Sequence, residues 1–357
     1  MAPRLLIAAV VLISIKPVDR TNAEILTEVR SENLPPLPTP ESFLSELLNV
    51  TVKSVYKVAK AFDFINDDCS KYVHLLWYEK DGSYKNYSLD SDQIPTDLSG
   101  ELKVIIHGWR SQGNSSWIRD MATSFQQIGV ANVLAVDWSS LAAQNYLSAA
   151  AATKKVGEHV AEVIWGKIFA AQTDYFNNLH VIGHSLGAHV AGFVGRNLVG
   201  YSNGTQISKI SGLDAAAPLF EIPVAIPSVY RLTSDDAQYV EGIHTNAGFL
   251  GFLSPFATVD YYVSFGGPIQ PGCLEGIDLI GAFICSHGKA YEFYTRTITS
   301  DQYLARACSS SLLAFIGLCN KNPVVIVGEH GNATEAEGQF FVLIDDELDP
   351  KFPVKGK

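Results

Sequence analysis

The sequence predicts an α/β fold, a mostly parallel central sheet with helices on both faces, and three observations point to it. Short apolar, β-prone runs at residues 73–78, 104–106, 133–136 and 179–182 each have the length of a buried strand. Between the third and fourth, Val156, Val160, Val163, Ile164 and Ile168 share one helical face, opposite Lys154, Lys155, Glu158 and Glu162. The chain has 357 residues, 47% hydrophobic and 18% charged, with no compositional break inside it, which suits one large core. Strand-helix-strand alternation needs crossover connections, and these make neighbouring strands parallel.

The elements follow in chain order. Arg4 precedes an uncharged apolar run at 5–15, too short to span a bilayer but suited to the core of a secretion signal. Residues 1–23 read as that signal, with Ala23 before Glu24 as the best cleavage position. Residues 24–68 read as an N-terminal extension: Pro35, Pro36, Pro38 and Pro40 come first, then an amphipathic stretch at 43–64 with Leu44, Leu47, Leu48 and Val52 near helical spacing. The main domain is expected over 69–344, and the acidic segment 345–357 as a short tail. Asn-X-Ser/Thr sequons at Asn49, Asn86, Asn114, Asn203 and Asn332 fit an oxidising secretory route with surface glycans.

A formal net charge of −11 with no basic block gives no footprint for nucleic acid or for strongly anionic membranes. No integral membrane segment is expected once the signal is removed. A neutral or zwitterionic substrate is the natural match.

The residues that carry chemistry lie where the fourth run ends. Leu179 to Ile182 lead into Gly183-His184-Ser185-Leu186-Gly187, and a helix-forming segment follows at once. Strand, sharp turn and helix are what a nucleophilic serine needs. The turn lifts its hydroxyl to the helix N-terminus, and glycines keep side chains out of a crowded corner. Such a serine requires a histidine to take its proton and a carboxylate to hold that histidine, in the chain order Ser, Asp, His.

Asp214 ends the strand-like run Ile210-Ser211-Gly212-Leu213 and is the best carboxylate; Asp137 precedes the serine, and Asp235 and Asp236 stand in a polar segment. Of the 9 histidines, position removes His184, His189 and His107, and His244 reads as structural. His287 remains, expected in a late loop after Cys285-Ser286, with a helical run of Tyr291, Phe293 and Tyr294 beyond it. Backbone donors for an oxyanion are expected at Leu186, after the serine, and at Trp109, in the turn His107-Gly108-Trp109 that follows a strand.

Taken together, these residues resemble the pancreatic-lipase-like family of α/β-hydrolases, especially its secreted insect members and the related phospholipases A1. The likeness runs from about Cys69 to Ile344. It is carried by His107-Gly108-Trp109, Val136-Asp137-Trp138-Ser139, the 183–189 turn, Gly212-Leu213-Asp214, Ser234-Asp235-Asp236-Ala237-Gln238-Tyr239-Val240, Ile243-His244-Thr245-Asn246, Gln270-Pro271-Gly272-Cys273 and Cys285-Ser286-His287. The resemblance implies a Ser185, Asp214, His287 triad with Trp109 and Leu186 as oxyanion donors. It also implies disulfides between Cys273 and Cys285, stapling a short lid, and between Cys308 and Cys319. Cys69 is the cysteine left over of the 5.

The chain departs from the family where Ala215-Ala216-Ala217-Pro218 replaces Pro-Ala-Gly-Pro, and where Thr233 replaces an acid linked with calcium in some members. No metal or cofactor is therefore assigned. Family members acting on triacylglycerol carry a longer lid and a C-terminal β-sandwich. The short 274–284 lid and the absence of that domain after the catalytic one imply a phospholipase A1-like enzyme, taking phospholipid or small acylglycerol esters at a membrane or micelle surface. The alternatives are a non-catalytic lipid carrier or storage protein on the same fold, a triacylglycerol lipase, and a peptidase or thioesterase with the same triad.

Overall fold

The computed structural model describes residues 70–343, apart from 96, 97, 99, 171, 224, 275–277 and 332–335. The signal and extension at 1–68, Cys69, the 345–357 tail and the sequons at Asn49 and Asn332 lie outside the described residues.

The strands are β1 (His74–Tyr78), β2 (Tyr84–Ser88), β3 (Leu102–Ile106), β4 (Asn132–Asp137), β5 (Leu179–His184), β6 (Lys209–Leu213), β7 (Tyr239–His244), β8 (Val259–Val263), β9 (Leu304–Ala307), β10 (Val324–Ile326) and β11 (Gly338–Leu343). They form one sheet in the order β10-β9-β11-β8-β7-β6-β5-β3-β4-β1-β2. Pairing is parallel from β4 through β3, β5, β6, β7 and β8 to β11, and antiparallel at both edges. The expected mostly parallel sheet is present, with one correction: the 73–78 run is not a parallel strand, because it pairs antiparallel to β4 and turns back tightly into β2.

Burial on both faces explains the continuous apolar runs. Leu102, Val104 and Ile106 of β3 pack with Leu134 and Val136 of β4 and Leu179 and Val181 of β5 in one core. Ile105, Val133, Ala135 and Ile182 enter a second core on the other side.

The helices are α1 (Ser116–Gln127), α2 (Ser139–Ala142), α3 (Tyr146–Val163), α4 (Leu186–Tyr201), α5 (Leu279–Ile298) and α6 (Ser311–Phe315). Helices α3 and α4 supply the first core, and α1 and α5 the second. The face from Val156 to Ile168 is buried as its spacing predicts, though the α-helix gives way to a π-helical turn at Ile164–Ile168. Asn145 caps α3 by accepting from the Ser148 N–H.

The most consequential difference concerns α5. His287 does not sit in a loop: the helix begins at Leu279, and Asp278 caps it by accepting from the Gly281 N–H at 2.7 Å. Ala282, Phe283, Ser286, His287, Ala290, Phe293 and Tyr294 form its buried face. Residues 279–284 of the 274–284 segment are thus helix, where Phe283 joins that buried face and Leu279 stays exposed. Both expected disulfides are formed, Cys273–Cys285 and Cys308–Cys319.

Candidate active site

Because β3 to β8 and β11 run parallel, their C-terminal ends lie along one edge, and the candidate residues gather there. Ser185 follows β5 and precedes α4, with φ 57° and ψ −124°, a conformation a non-glycine residue adopts only under constraint. Its N–H donates to Leu213 O at 3.0 Å and its carbonyl accepts from Ala216 N at 3.2 Å, which ties the turn to the end of β6. The flanking residues must be glycine: a methyl group at Gly187 would lie 2.6 Å from the His107 carbonyl oxygen. One at Gly108 would lie 2.6 Å from Ser185 Cβ, so the turn after β3 rests directly on the serine.

Asp214 follows β6 with φ 44°. It is fully buried, and its carboxylate is satisfied on both sides. Oδ1 accepts the backbone N–H groups of Thr245 and Asn246 at 2.8 and 3.0 Å, and Oδ2 lies 2.6 Å from His287 Nδ1. A carboxylate held this way keeps the Nδ1–H tautomer of the imidazole, leaving Nε2 as the free acceptor. The structure thus brings the sequence-derived acid and base together across 73 residues.

His184, set aside on position, touches the same histidine. Its Nε2 bonds the His287 carbonyl oxygen at 3.1 Å, and the two rings lie 4.5 Å apart. Burial, then the neighbouring His287, pushes His184 well below the ordinary imidazole range, so it stays neutral and donates. Trp117 and Tyr291 stack at 4.7 Å and close over its ring from α1 and α5.

The donors expected around an oxyanion are placed as follows. Leu186 is the first residue of α4, where backbone N–H groups lack intrahelical acceptors. Trp109 is anchored by Nε1–H to Gln144 O at 2.8 Å and by edge contact with Tyr146 at 5.0 Å. His107 lies below it: Nδ1 bonds Gly108 O, and Nε2 accepts from Trp138 N at 3.2 Å.

The set-aside residues have structural work. Asp236 is buried and paired with Arg196 at 2.8 Å. Asp137 accepts from Ser139 N and faces His107 at 3.4 Å. His244 bonds Asp260 at 2.8 Å and Phe252 O at 2.9 Å; burial disfavours its charge, but Asp260 outweighs that and holds it above the ordinary range. His244 also immediately precedes the two amides that hold Asp214. The 215–217 segment is tied to the 250–252 stretch, with Ala217 N donating to Leu250 O at 2.8 Å and Phe252 N to Ala215 O at 3.0 Å. Among the described residues no group of three His, Cys, Asp or Glu side chains could hold a metal ion, and no helix is long and apolar enough to cross a membrane.

A parallel sheet carrying a strained serine turn, with a carboxylate-bonded histidine on the same edge, defines the α/β-hydrolase class. Residues 66–321 match the family model described as Lipase, and the chain belongs to that family. It is 33% identical over 276 residues to Phospholipase A1 3 of Polistes dominula, covering 74% of this chain and 82% of the relative. Pancreatic lipase-related protein 2 of Mus musculus is 32% identical over 283 residues, 72% of this chain but 56% of that protein. Pancreatic triacylglycerol lipase of Mus musculus is 32% identical over 264 residues, 68% of this chain and 54% of that protein.

Proposed function

We propose that the chain is a secreted phospholipase A1-like enzyme that cleaves carboxylester bonds of phospholipids or small acylglycerols, with Ser185 as nucleophile, His287 as base and Asp214 as the carboxylate that orients it. The observation that carries this reading is the 2.6 Å bond between His287 Nδ1 and Asp214 Oδ2 beside the strained serine turn. His287 Nε2 takes the Ser185 hydroxyl proton as Oγ attacks the ester carbonyl. The N–H groups of Leu186 and Trp109 receive the oxyanion. His287 then protonates the departing alkoxide, leaving acyl-Ser185, and activates the water that releases the fatty acid.

Phospholipid is favoured over triacylglycerol because the Cys273–Cys285 disulfide spans only 12 residues, and much of that span is α5, leaving little chain to cover the site. Two disulfides, and exposed sequon positions at Asn86 and Asn203, support passage through an oxidising secretory route. A fluorophosphonate probe should label the secreted chain, and Ser185→Ala should abolish both labelling and turnover; hydrolysis unchanged by that substitution refutes the assignment. Rates on phosphatidylcholine vesicles and on a triacylglycerol emulsion decide the substrate, and activity confined to the emulsion removes the phospholipase reading.

A further inference from the structure

The segment closed by the Cys308–Cys319 disulfide carries its apolar residues on the outside. Leu312, Phe315, Ile316 and Leu318 are 66%, 69%, 54% and 70% exposed. Leu313 and Ala314 face inward with the disulfide onto Tyr262 and Phe341. Apolar side chains this exposed and this close together mark a contact surface.

Three features bear on what it contacts. From Cys308 to Asn320 there is no charged residue, in a chain that is 18% charged. Much of the loop's turn is bonded within itself: the N–H groups of Ala314, Ile316, Gly317, Leu318 and Asn320 donate to the carbonyls of Ser310, Leu312, Ala314, Leu313 and Gly317. These amides stay paired when water is excluded from the loop, so contact with an apolar medium does not cost their hydrogen bonds.

Its position is the third feature. Phe315 meets Phe265 edge-on at 5.7 Å, in the turn that follows β8 at the catalytic edge. Gly266 O of that turn accepts from Ala247 N, whose neighbour Asn246 donates to Asp214. Leu253, whose carbonyl accepts from Tyr262 Oη beneath the loop, and Leu274 and Leu279 of the lid segment are exposed as well.

We infer that the 308–320 loop is a lipid-docking element, inserting Leu312, Phe315, Ile316 and Leu318 into an uncharged or zwitterionic lipid surface and setting the catalytic edge against it. The inference deepens the proposed phospholipase reading and rests on it for its purpose. A net charge of −11 sets the chain against anionic lipid, so the surface is of phosphatidylcholine type.

The test uses the whole secreted chain carrying Ser185→Ala, so that phosphatidylcholine vesicles stay intact, with and without Phe315→Ser and Leu318→Ser. Losing two inserted side chains should lower vesicle partitioning by at least about 100-fold. In the active background the same double variant should keep kcat/KM on a soluble short-chain ester within about twofold, while its activity on vesicles falls through KM. Unchanged partitioning overturns the inference. So does a dimer that the variant disperses without change in vesicle binding, since the patch would then join two copies of the chain. If vesicle binding depends on the loop but the wild-type chain hydrolyses no ester, docking stands and the enzymatic reading fails.

Discussion

Gly251 seats the carboxylate of Asp214, and filling that seat should disable the enzyme without unfolding it. A methyl group at this position would lie 2.5 Å from Asp214 Oδ2 and closer still to Oδ1 and the carboxyl carbon. Ordinary contact needs about 3.4 Å, so the carboxylate or the loop must yield by roughly 1 Å. Asp214 is pinned by two amides and by His287, so that displacement passes to the imidazole. A misplacement of this size in a catalytic array costs about 100-fold in rate, or about 2.7 kcal/mol of barrier. Gly251→Ala should therefore lower kcat on a soluble ester, and the rate of fluorophosphonate labelling, by about two orders of magnitude. Gly200→Ala is the control: it lies in α4 with nothing within 4 Å of an added methyl, and should leave kcat unchanged while adding up to about 1 kcal/mol of stability. Wild-type kcat in a folded Gly251→Ala protein would refute the role given to Asp214.

Asp214→Asn should keep the fold but cut kcat by about 10⁴-fold, because the amide favours the wrong imidazole tautomer; single-turnover ester hydrolysis measures it. Acid should destabilise the chain through His189, whose Nε2 bonds Ala216 O while Nδ1 accepts from Leu232 N. Burial pushes it down to about 3, so its contribution is complete above the unfolded value of about 6.5 and is lost as pH falls from there toward 3. Urea unfolding between pH 7 and 4 should show a shallower loss in His189→Gln, by up to about 1.4 kcal/mol per pH unit. Replacing Cys308 and Cys319 by serine should cost about 3 kcal/mol, from the entropy of a loop with a sequence separation of 11, and leave kcat on a soluble ester unchanged.

What was legible in the sequence was whatever is local. Leu179 to Gly187 contains the strand, the turn and the helix start within one short segment, so Ser185 could be placed from pattern alone. His287 was legible as a residue but not in its setting. Its helix is recognised only when Asp278 is read as a cap and Phe283 of the lid as part of the same buried face as His287. The grip on Asp214 left no signal, because it consists of backbone amides 31 and 32 residues downstream, which every residue but proline carries. Strand β2 escaped for a different reason: its burial pattern, with three exposed positions running, gives no apolar alternation to detect.

The same limit hides a second serine-histidine-carboxylate cluster, and its polarity explains why it should be inert. Ser211 Oγ lies 2.7 Å from His180 Nε2, and His180 Nδ1 lies 3.5 Å from Glu329. Ser211, however, donates to Glu241 Oε1 at 2.5 Å, so its proton points to a carboxylate and not to the imidazole. Burial, the largest influence, pushes His180 down to about 4, leaving it neutral, and with Ser211 committed as donor to Glu241 the Nε2 hydrogen must point at the serine. Nδ1 then accepts, facing Lys103 Nζ at 3.5 Å. A histidine that donates to a serine cannot take its proton. The fully buried Ser211 also offers no route to substrate. The cluster instead ties β3, β5, β6 and β7 to the 328–330 turn through Lys103, Lys209 and Glu329. Ser211→Ala should leave kcat and probe labelling intact but lower stability by about 1–3 kcal/mol, the cost of depriving buried Glu241 and His180 of a partner. Ser185→Ala should do the reverse. Labelling that survives Ser185→Ala and disappears only on further loss of Ser211 would overturn this assignment of polarity.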